Sequence, residues 1–292
     1  MPSKIIGKIA IDHSLLNIDL NTIINFPVLP EAYAEFGVGS WRNHSLWNKT
    51  GDFHDMQVQD SDEPAQVTAL GKQLPYISKL IRETFDTTHL KMVRARNLTN
   101  GCVFPHRDFV ELSHKSHYLR VFLPLQSNLQ SYHSDEQSVF QMQCGEIWQL
   151  DASMVHAAAN FGEESRIHIC LDFQFAGEKP PVEVVFLDPK TAQQLPAPTQ
   201  PVRKPLANFP QTLNEMSKTF DETTLHSMIV ALSKLHFLHT VHVADCYDWL
   251  IAMAEKTGSK TLIETCQRLK TFMIVKRAIG EQFSFQSAQT VN

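Results

Sequence analysis

The sequence predicts a mostly-β fold: a double-stranded β-helix, or jelly roll, flanked by N-terminal helices and followed by a small helical C-terminal domain. Three observations predict it. Short runs at Leu90–Leu98, Tyr118–Leu125, Ser138–Met142, Glu146–Leu150 and Ile167–Phe175 carry the apolar and β-branched pattern of strands. No ten-residue helical period alternates with them, which disfavours a parallel α/β sheet. Helical periodicity without strand signal then fills the chain after a proline-rich stretch.

The elements follow in order. Asp12 suits the cap of a helix over about 12–25, with Leu15, Leu16, Ile18, Leu20, Ile23 and Ile24 as a broad apolar face, and Pro27 and Pro30 close it. Residues 31–64 are mixed, rich in Gly, Asn and Asp around Trp41 and Trp47. They read as a long loop, packed on the core or covering a small-molecule site. Pro75 suits the first turn of a helix to about Phe85. Asn100-Gly101 and Cys144-Gly145 mark turns between strands. Residues 178–211, from Glu178 onward, hold eight prolines (Pro180, Pro181, Pro189, Pro196, Pro198, Pro201, Pro205 and Pro210) and read as a connecting or wrapping segment. Helices are then expected over about 223–239, 245–257 and 260–280, with Asp245 capping the second and Gly258 ending it. Leu225, Met228, Ile229, Leu232 and Leu235 are read as packing residues. The predicted division is 1–178, 179–212 and 213–292, with no internal repeat.

Composition narrows the function classes. Of 292 residues, 43% are hydrophobic and 20% charged, a globular balance rather than a disordered one. The net charge of -5 disfavours a general polyanion binder, so no nucleic-acid partner is expected. The apolar stretch at the N-terminus is short and interrupted, and no later run approaches the roughly eighteen apolar residues of a membrane span. Cys102, Cys144, Cys170, Cys246 and Cys266 are widely spaced with no CxxC pair. A reducing, cytoplasmic setting is expected, without structural zinc on paired cysteines.

The chemistry-bearing pattern is His106-Arg107-Asp108, followed fifty positions later by His156. On an extended strand His106 and Asp108 project to one side, and a neighbouring strand can deliver His156. Two imidazoles and one carboxylate on one face of an ion leave positions open for a cosubstrate and O2, the arrangement of non-haem Fe(II) oxygenases. With 14 histidines in the chain, H-x-D plus a distant His also arises by chance. Context argues against chance: Pro105, the strand-rich surroundings, and Arg166 ten residues past His156, on a face with His168 and Cys170. A guanidinium inside a barrel needs an anion, and the distal carboxylate of 2-oxoglutarate would be one. Arg94 and Arg96 share a strand face and line either an anion pocket or a solvated surface. Arg120 has the parity of Tyr118 and Phe122. His114, His117 and His133 are surplus to the metal set.

The runs FGVGSWRNHSLWN, MVRARNLTN, PHRDFVEL, YLR, YHSDE, GEIWQLDASMVHAAANFGEESR, LSKLHF and VKRA resemble the bacterial free L-proline hydroxylases. The resemblance is strongest to the proline 3-hydroxylase group of the aspartyl/asparaginyl β-hydroxylase-like oxygenases, and it spans nearly the whole chain. It implies a cupin-like jelly roll with a helical C-terminal domain. It also implies Fe(II) on His106, Asp108 and His156, with 2-oxoglutarate and O2 as cosubstrates. It places Arg166 at the far carboxylate of 2-oxoglutarate and Arg120 at a second carboxylate contact near the metal. Arg94, Arg96 and His133 fall among the polar groups around the substrate. The implied substrate is a small free amino acid, foremost L-proline at C3 or C4. L-pipecolate or another free amino acid of peptide antibiotic biosynthesis, a peptide side chain, and a non-catalytic metal-binding jelly roll are the alternatives. No membrane partner is expected, and a homodimer is admitted.

Overall fold

Strand β4 (Leu90–His106) runs through the centre of the molecule, and the other strands are arranged about it. The computed structural model describes residues 2–27, 29, 33–59, 61–108, 117–175, 184–186, 195–278 and 280–285. Pro30, His114, Glu178, Pro180, Pro181 and Pro189, to which the sequence assigned parts, lie outside the described residues, as does most of PHRDFVEL beyond Asp108.

Helix α1 (His13–Asn25) starts as expected: the Asp12 carboxylate accepts from the backbone N–H groups of Ser14 and Leu15. Helix α3 (Pro75–Thr84) has Pro75 in its first turn and follows a short helix α2 (Ala69–Lys72). Both long helices pack on one face of the sheet, burying Leu16, Leu20, Ile23, Ile77 and Ile81 against Leu123, Ile169 and Leu171.

The curled antiparallel sheet follows the order β1 (Lys4–Lys8), β8 (Glu146–Leu150), β5 (His117–Pro124), β10 (Arg166–Phe175), β4, β9 (His156–Asn160), β6 (Ser131–Ser134) and β7 (Val139–Phe140). Strand β2 (Gly37–Asn48) pairs with β4 and with β3 (Gln66–Val67). The predicted strands are present, although β7 shrinks to two residues.

Three expectations are corrected, and one strand was not anticipated. Residues 37–48 are a strand within the expected loop, because they pair antiparallel with β4, from Gly37 opposite Val103 to Trp47 opposite Val93, which buries residues 43–48 in succession. Lys4–Lys8 form β1 on β8. Asn100-Gly101 does not separate two strands: β4 continues through it. Asn100 takes φ 42° and Gly39 of β2 takes φ 87°, where a Cβ on Gly39 would sit 2.2 Å from the Asn100 carbonyl oxygen. The dipeptide thus allows a close, irregular β2–β4 crossing rather than a hairpin. In the C-terminal region Asp245 sits in the first turn of its helix, and Ala244 occupies the cap position.

That region comprises α4 (Phe209–Ser217), α5 (Leu225–Ser233), α6 (Leu235–Leu238), α7 (Asp245–Thr257) and α8 (Lys260–Lys270), then a π-helical turn over Thr271–Val275. Gly258 ends α7 with φ 74°, as expected. Leu225, Ile229 and Leu232 are buried, with Met228 and Leu235 packed beside them. This core is shared with Cys102 and Phe104 of β4 and Ala157 and Ala159 of β9, so the helices pack directly on the strands that carry the site. The Pro-rich segment touches Gln141 through Thr199 and His239 through Lys204. Among the described residues no helix is long and apolar enough to cross a membrane.

His236 joins α6 to β6 through a 2.8 Å hydrogen bond with Ser134 Oγ. Burial pushes its imidazole down to about 3, whereas an unfolded histidine titrates near 6.5. Between these values the unfolded chain binds a proton that the folded protein does not. Stability is therefore complete above about pH 6.5 and falls with pH by up to about 1.4 kcal/mol per unit from this residue. Urea unfolding between about pH 7 and pH 5 should show a shallower decline for His236→Gln than for the wild type.

Candidate metal centre and cavity

The two histidine ligands are set by the sheet and the carboxylate by a loop. His106 ends β4 and stands directly opposite His156, the first residue of β9. Their rings are 4.3 Å apart between centroids. Asp108 lies two residues on, beyond the strand, where its N–H donates to the Ala152 carbonyl at 2.7 Å. The expected shared strand face is thus replaced by a strand end and the loop after it, with the same result. His106 Nε2 is 3.5 Å and His156 Nε2 3.7 Å from the Asp108 carboxylate. One ligand atom from each of the three residues falls within 4.8 Å of the others.

The donor set fits a divalent metal. The Nδ1 atoms of His106 and His156 lie 2.8 and 3.0 Å from the Phe104 and Met154 carbonyl oxygens. A carbonyl only accepts, so each Nδ1 carries the proton and each Nε2 offers its lone pair to the ion. Burial and the neighbouring His156 push His106 down to about 4, which keeps it neutral, as a ligand must be. Burial alone would raise the Asp108 carboxyl, but Arg120 and the imidazoles hold it well below the usual carboxylate range.

Behind the ligands runs a buried chain of alternating charge. Arg94 Nη2 donates to Asp172 Oδ2 at 2.6 Å, Arg120 Nε donates to Asp172 Oδ1 at 2.7 Å, and Arg120 Nη1 donates to Asp108 Oδ2. Asp172 is fully buried. Burial opposes its charge, yet the two guanidiniums hold its carboxyl below the usual range. Sequence reasoning missed Asp172. Its signal was a carboxylate inside the apolar run ICLDFQF, at the parity of Arg166 and His168.

Arg166 is placed on β10 as expected and is buried, but no carboxylate meets it among the described residues. Its Nη1 donates to His133 Nε2 at 2.6 Å and to His168 Nδ1 at 3.2 Å. Burial, together with the charge of Arg96, brings this guanidinium down to about 9, the mark of a cation lacking an anion. Burial and the Arg166 charge push His133 and His168 well below the usual imidazole value, so both are neutral acceptors. Arg166 Nε, His133 Nδ1 and His168 Nε2 are buried without a hydrogen-bond partner.

Arg94, Arg96 and Arg120 all border a cavity of about 180 Å³ together with His106 and Asp108. Their states differ. Arg94 and Arg120 are held by Asp172, whereas Arg96 stands over the Phe122 ring with its Nε unpaired and no carboxylate partner among the described residues. Trp41 lines the cavity; Trp47 is buried in the helix-side core with Arg82 over its ring. Tyr33, Phe36 and Arg277, which the motif did not single out, also line it. His117 is exposed and is not part of the three-residue cluster.

Comparison with known proteins fits this geometry. Residues 16–175 match the aspartyl/asparaginyl beta-hydroxylase family, and residues 182–281 match the family described as L-proline 3-hydroxylase, C-terminal. The chain is 37% identical to L-proline cis-3-hydroxylase 2 of a Streptomyces species, over 98% of this chain and 100% of that protein. It is 35% identical to L-proline cis-3-hydroxylase 1 of a Streptomyces species, over 97% and 99%. It is 30% identical to L-proline cis-4-hydroxylase of Rhizobium meliloti (strain 1021), over 98% and 100%.

Asp172 compensates two buried guanidiniums, so its removal leaves charge without a partner. Asp172→Asn should lower unfolding stability by about 3–5 kcal/mol, read from the urea transition at neutral pH. An unchanged midpoint would show that Arg94 and Arg120 find other partners.

Proposed function

Because the chain belongs to the aspartyl/asparaginyl β-hydroxylase family, in a branch whose members include L-proline hydroxylases, we propose that it hydroxylates a ring carbon of free L-proline with Fe(II), 2-oxoglutarate and O2. The observation that carries this reading is a three-residue metal face with an uncompensated Arg166 behind it. Iron bound by His106, Asp108 and His156 supplies oxygen activation coupled to the oxidation of 2-oxoglutarate. The chain supplies recognition, orientation and exclusion of water.

Arg166 takes the distal carboxylate of 2-oxoglutarate bidentately, and the neutral His133 and His168 brace its guanidinium. Arg96 takes the α-carboxylate of the substrate, because it faces the cavity with no carboxylate partner among the described residues. Arg94 and Arg120 border the same cavity, and Asp172 holds them in place for the ligand contacts that the resemblance implies. Trp41 and Phe36 offer apolar surface to the pyrrolidine ring. The product is a cis-hydroxyproline, with attack at C3 or C4 set by how the ring lies against these walls; a displacement of about 1 Å is enough to alter the rate of attack strongly. The curled sheet is assigned as a double-stranded β-helix over 1–178, followed by the wrapping segment 179–212 and the helices of 213–292.

A peptide substrate is disfavoured, since a peptide bond brings no charge to Arg96. Mass spectrometry of reactions with L-proline, L-pipecolate and a capped proline peptide tests the reading. Hydroxylation of L-proline is expected, with L-pipecolate turned over if the ring fits and the capped peptide untouched. Turnover of the capped peptide alone would refute it.

Replacement of Arg166 tests the cosubstrate contact separately. Arg166→Lys should raise the 2-oxoglutarate requirement steeply, since loss of a buried charge-assisted pair costs about 2–5 kcal/mol and a point charge does not restore the fork. An unchanged requirement in succinate-release assays would assign the carboxylate to another residue.

A further inference from the structure

Arg277 is distant from the metal ligands in sequence but reaches their loop in space. Its Nη2 donates to the Arg107 carbonyl at 2.6 Å, and its Nη1 donates to the Phe272 carbonyl at 3.2 Å. Nη2 also stands 3.9 Å from Asp108 Oδ1, while Arg120 engages the other carboxylate oxygen. The guanidinium lies over the rings of Phe36 and Phe272, at 5.1 and 5.7 Å, and the side chain is only 7% exposed.

The same segment holds the other side of Arg107. The Arg107 N–H donates to the Met273 carbonyl at 3.0 Å. Both backbone polar groups of the residue between His106 and Asp108 are therefore closed by the C-terminal region. The Arg107 side chain extends the link: its Nε donates to the Ser153 carbonyl at 2.5 Å, in the turn before His156, and its Nη1 donates to the Ile274 carbonyl at 3.3 Å. Tyr247, fully buried on α7, donates its hydroxyl to the Pro105 carbonyl.

The accepting carbonyls come from the π-helical turn, closed by a 2.9 Å bond from the Lys276 N–H to Thr271. Because the helix ends there, the carbonyls of Met273 and Ile274 are free to accept from Arg107. Single π turns recur at functional sites because they redirect such groups.

We propose that Arg277 is a positioning residue for the metal loop, so that the helical C-terminal region fixes Asp108 against His106 and His156. The proposal rests on the reading that these three residues hold a divalent metal. Its test needs no turnover. Full-length, metal-free wild type, Arg277→Met and Arg277→Lys are titrated with Mn(II) by electron paramagnetic resonance and with Co(II) by visible absorption. Melting temperatures are recorded alongside.

Arg277→Met should bind Mn(II) about ten- to a hundred-fold more weakly and shift the Co(II) bands. Arg277→Lys should recover part of the affinity, because an ammonium reaches one carbonyl but does not reproduce the fork across two. A folded Arg277→Met with wild-type affinity and bands overturns the proposal. A lower melting temperature with unchanged metal binding overturns it as well, since that is the signature of a merely structural role. If Arg277→Met does not fold, Arg277→Lys decides: wild-type affinity and bands in that variant also overturn it. Failure of the wild type to bind Mn(II) would remove the metal reading and this proposal with it.

Discussion

Asp172 is the carboxylate that allows the sheet to hold charge in its interior. Arg94, Arg96, Arg120 and Arg166 stand on neighbouring strands, and burying any of them without an anion is costly. Asp172 engages two of the four, and through Arg120 the charge chain reaches Asp108. Among the described residues two guanidiniums then remain without a carboxylate, Arg166 deep in the sheet and Arg96 at the cavity. The uncompensated charge is therefore local. Arg166 is the register partner of Leu98 and Arg96 that of His168, so the two cations are near neighbours across β10 and β4, and each would offer an entering carboxylate a partner. A carboxylate for every arginine would give a more stable interior and no reason for an anion to enter.

The same cations account for the state of the histidines. His133 and His168 are buried against Arg166, so a second positive charge on either ring is doubly unfavourable and both stay neutral. A neutral imidazole accepts a hydrogen bond, which lets the pair brace a guanidinium that no carboxylate among the described residues contacts. His106 reaches the same neutral state chiefly through burial and its neighbour His156, and there the free lone pair is a ligand rather than an acceptor.

Much of this was legible in the sequence because the signals are local. A cap at Asp12, a proline at the start of α3, alternation along β5 and β10, and a two-residue spacing at His106 and Asp108 are each set by a few adjacent residues. What was not legible depends on partners far along the chain. Residues 37–48 have the composition of a loop, and only their pairing with β4 makes them a strand. Asn100-Gly101 has the composition of a hairpin, and only the approach of Gly39 makes it a crossing. Arg94 and Arg96 have the same parity and the same chemistry; the sequence does not say that Asp172 meets one and leaves the other.

Strands place side chains more accurately than loops, because ladder hydrogen bonds fix their direction. Two ligands of the metal face have that support, since His106 and His156 are register partners across β4 and β9. Asp108 does not, for it lies two residues past the end of its strand. Its position is set instead by bonds from outside the ladder: its own N–H on Ala152, the Arg107 N–H on Met273, and the Arg107 carbonyl held by Arg277. Those last partners belong to the π-helical turn and the residues just after it, in a C-terminal region that shares one hydrophobic core with β4 and β9. Loosening that core would therefore reach the carboxylate before the histidines, so the ligand with the least support from the sheet has the most to gain from the helical region packed upon it.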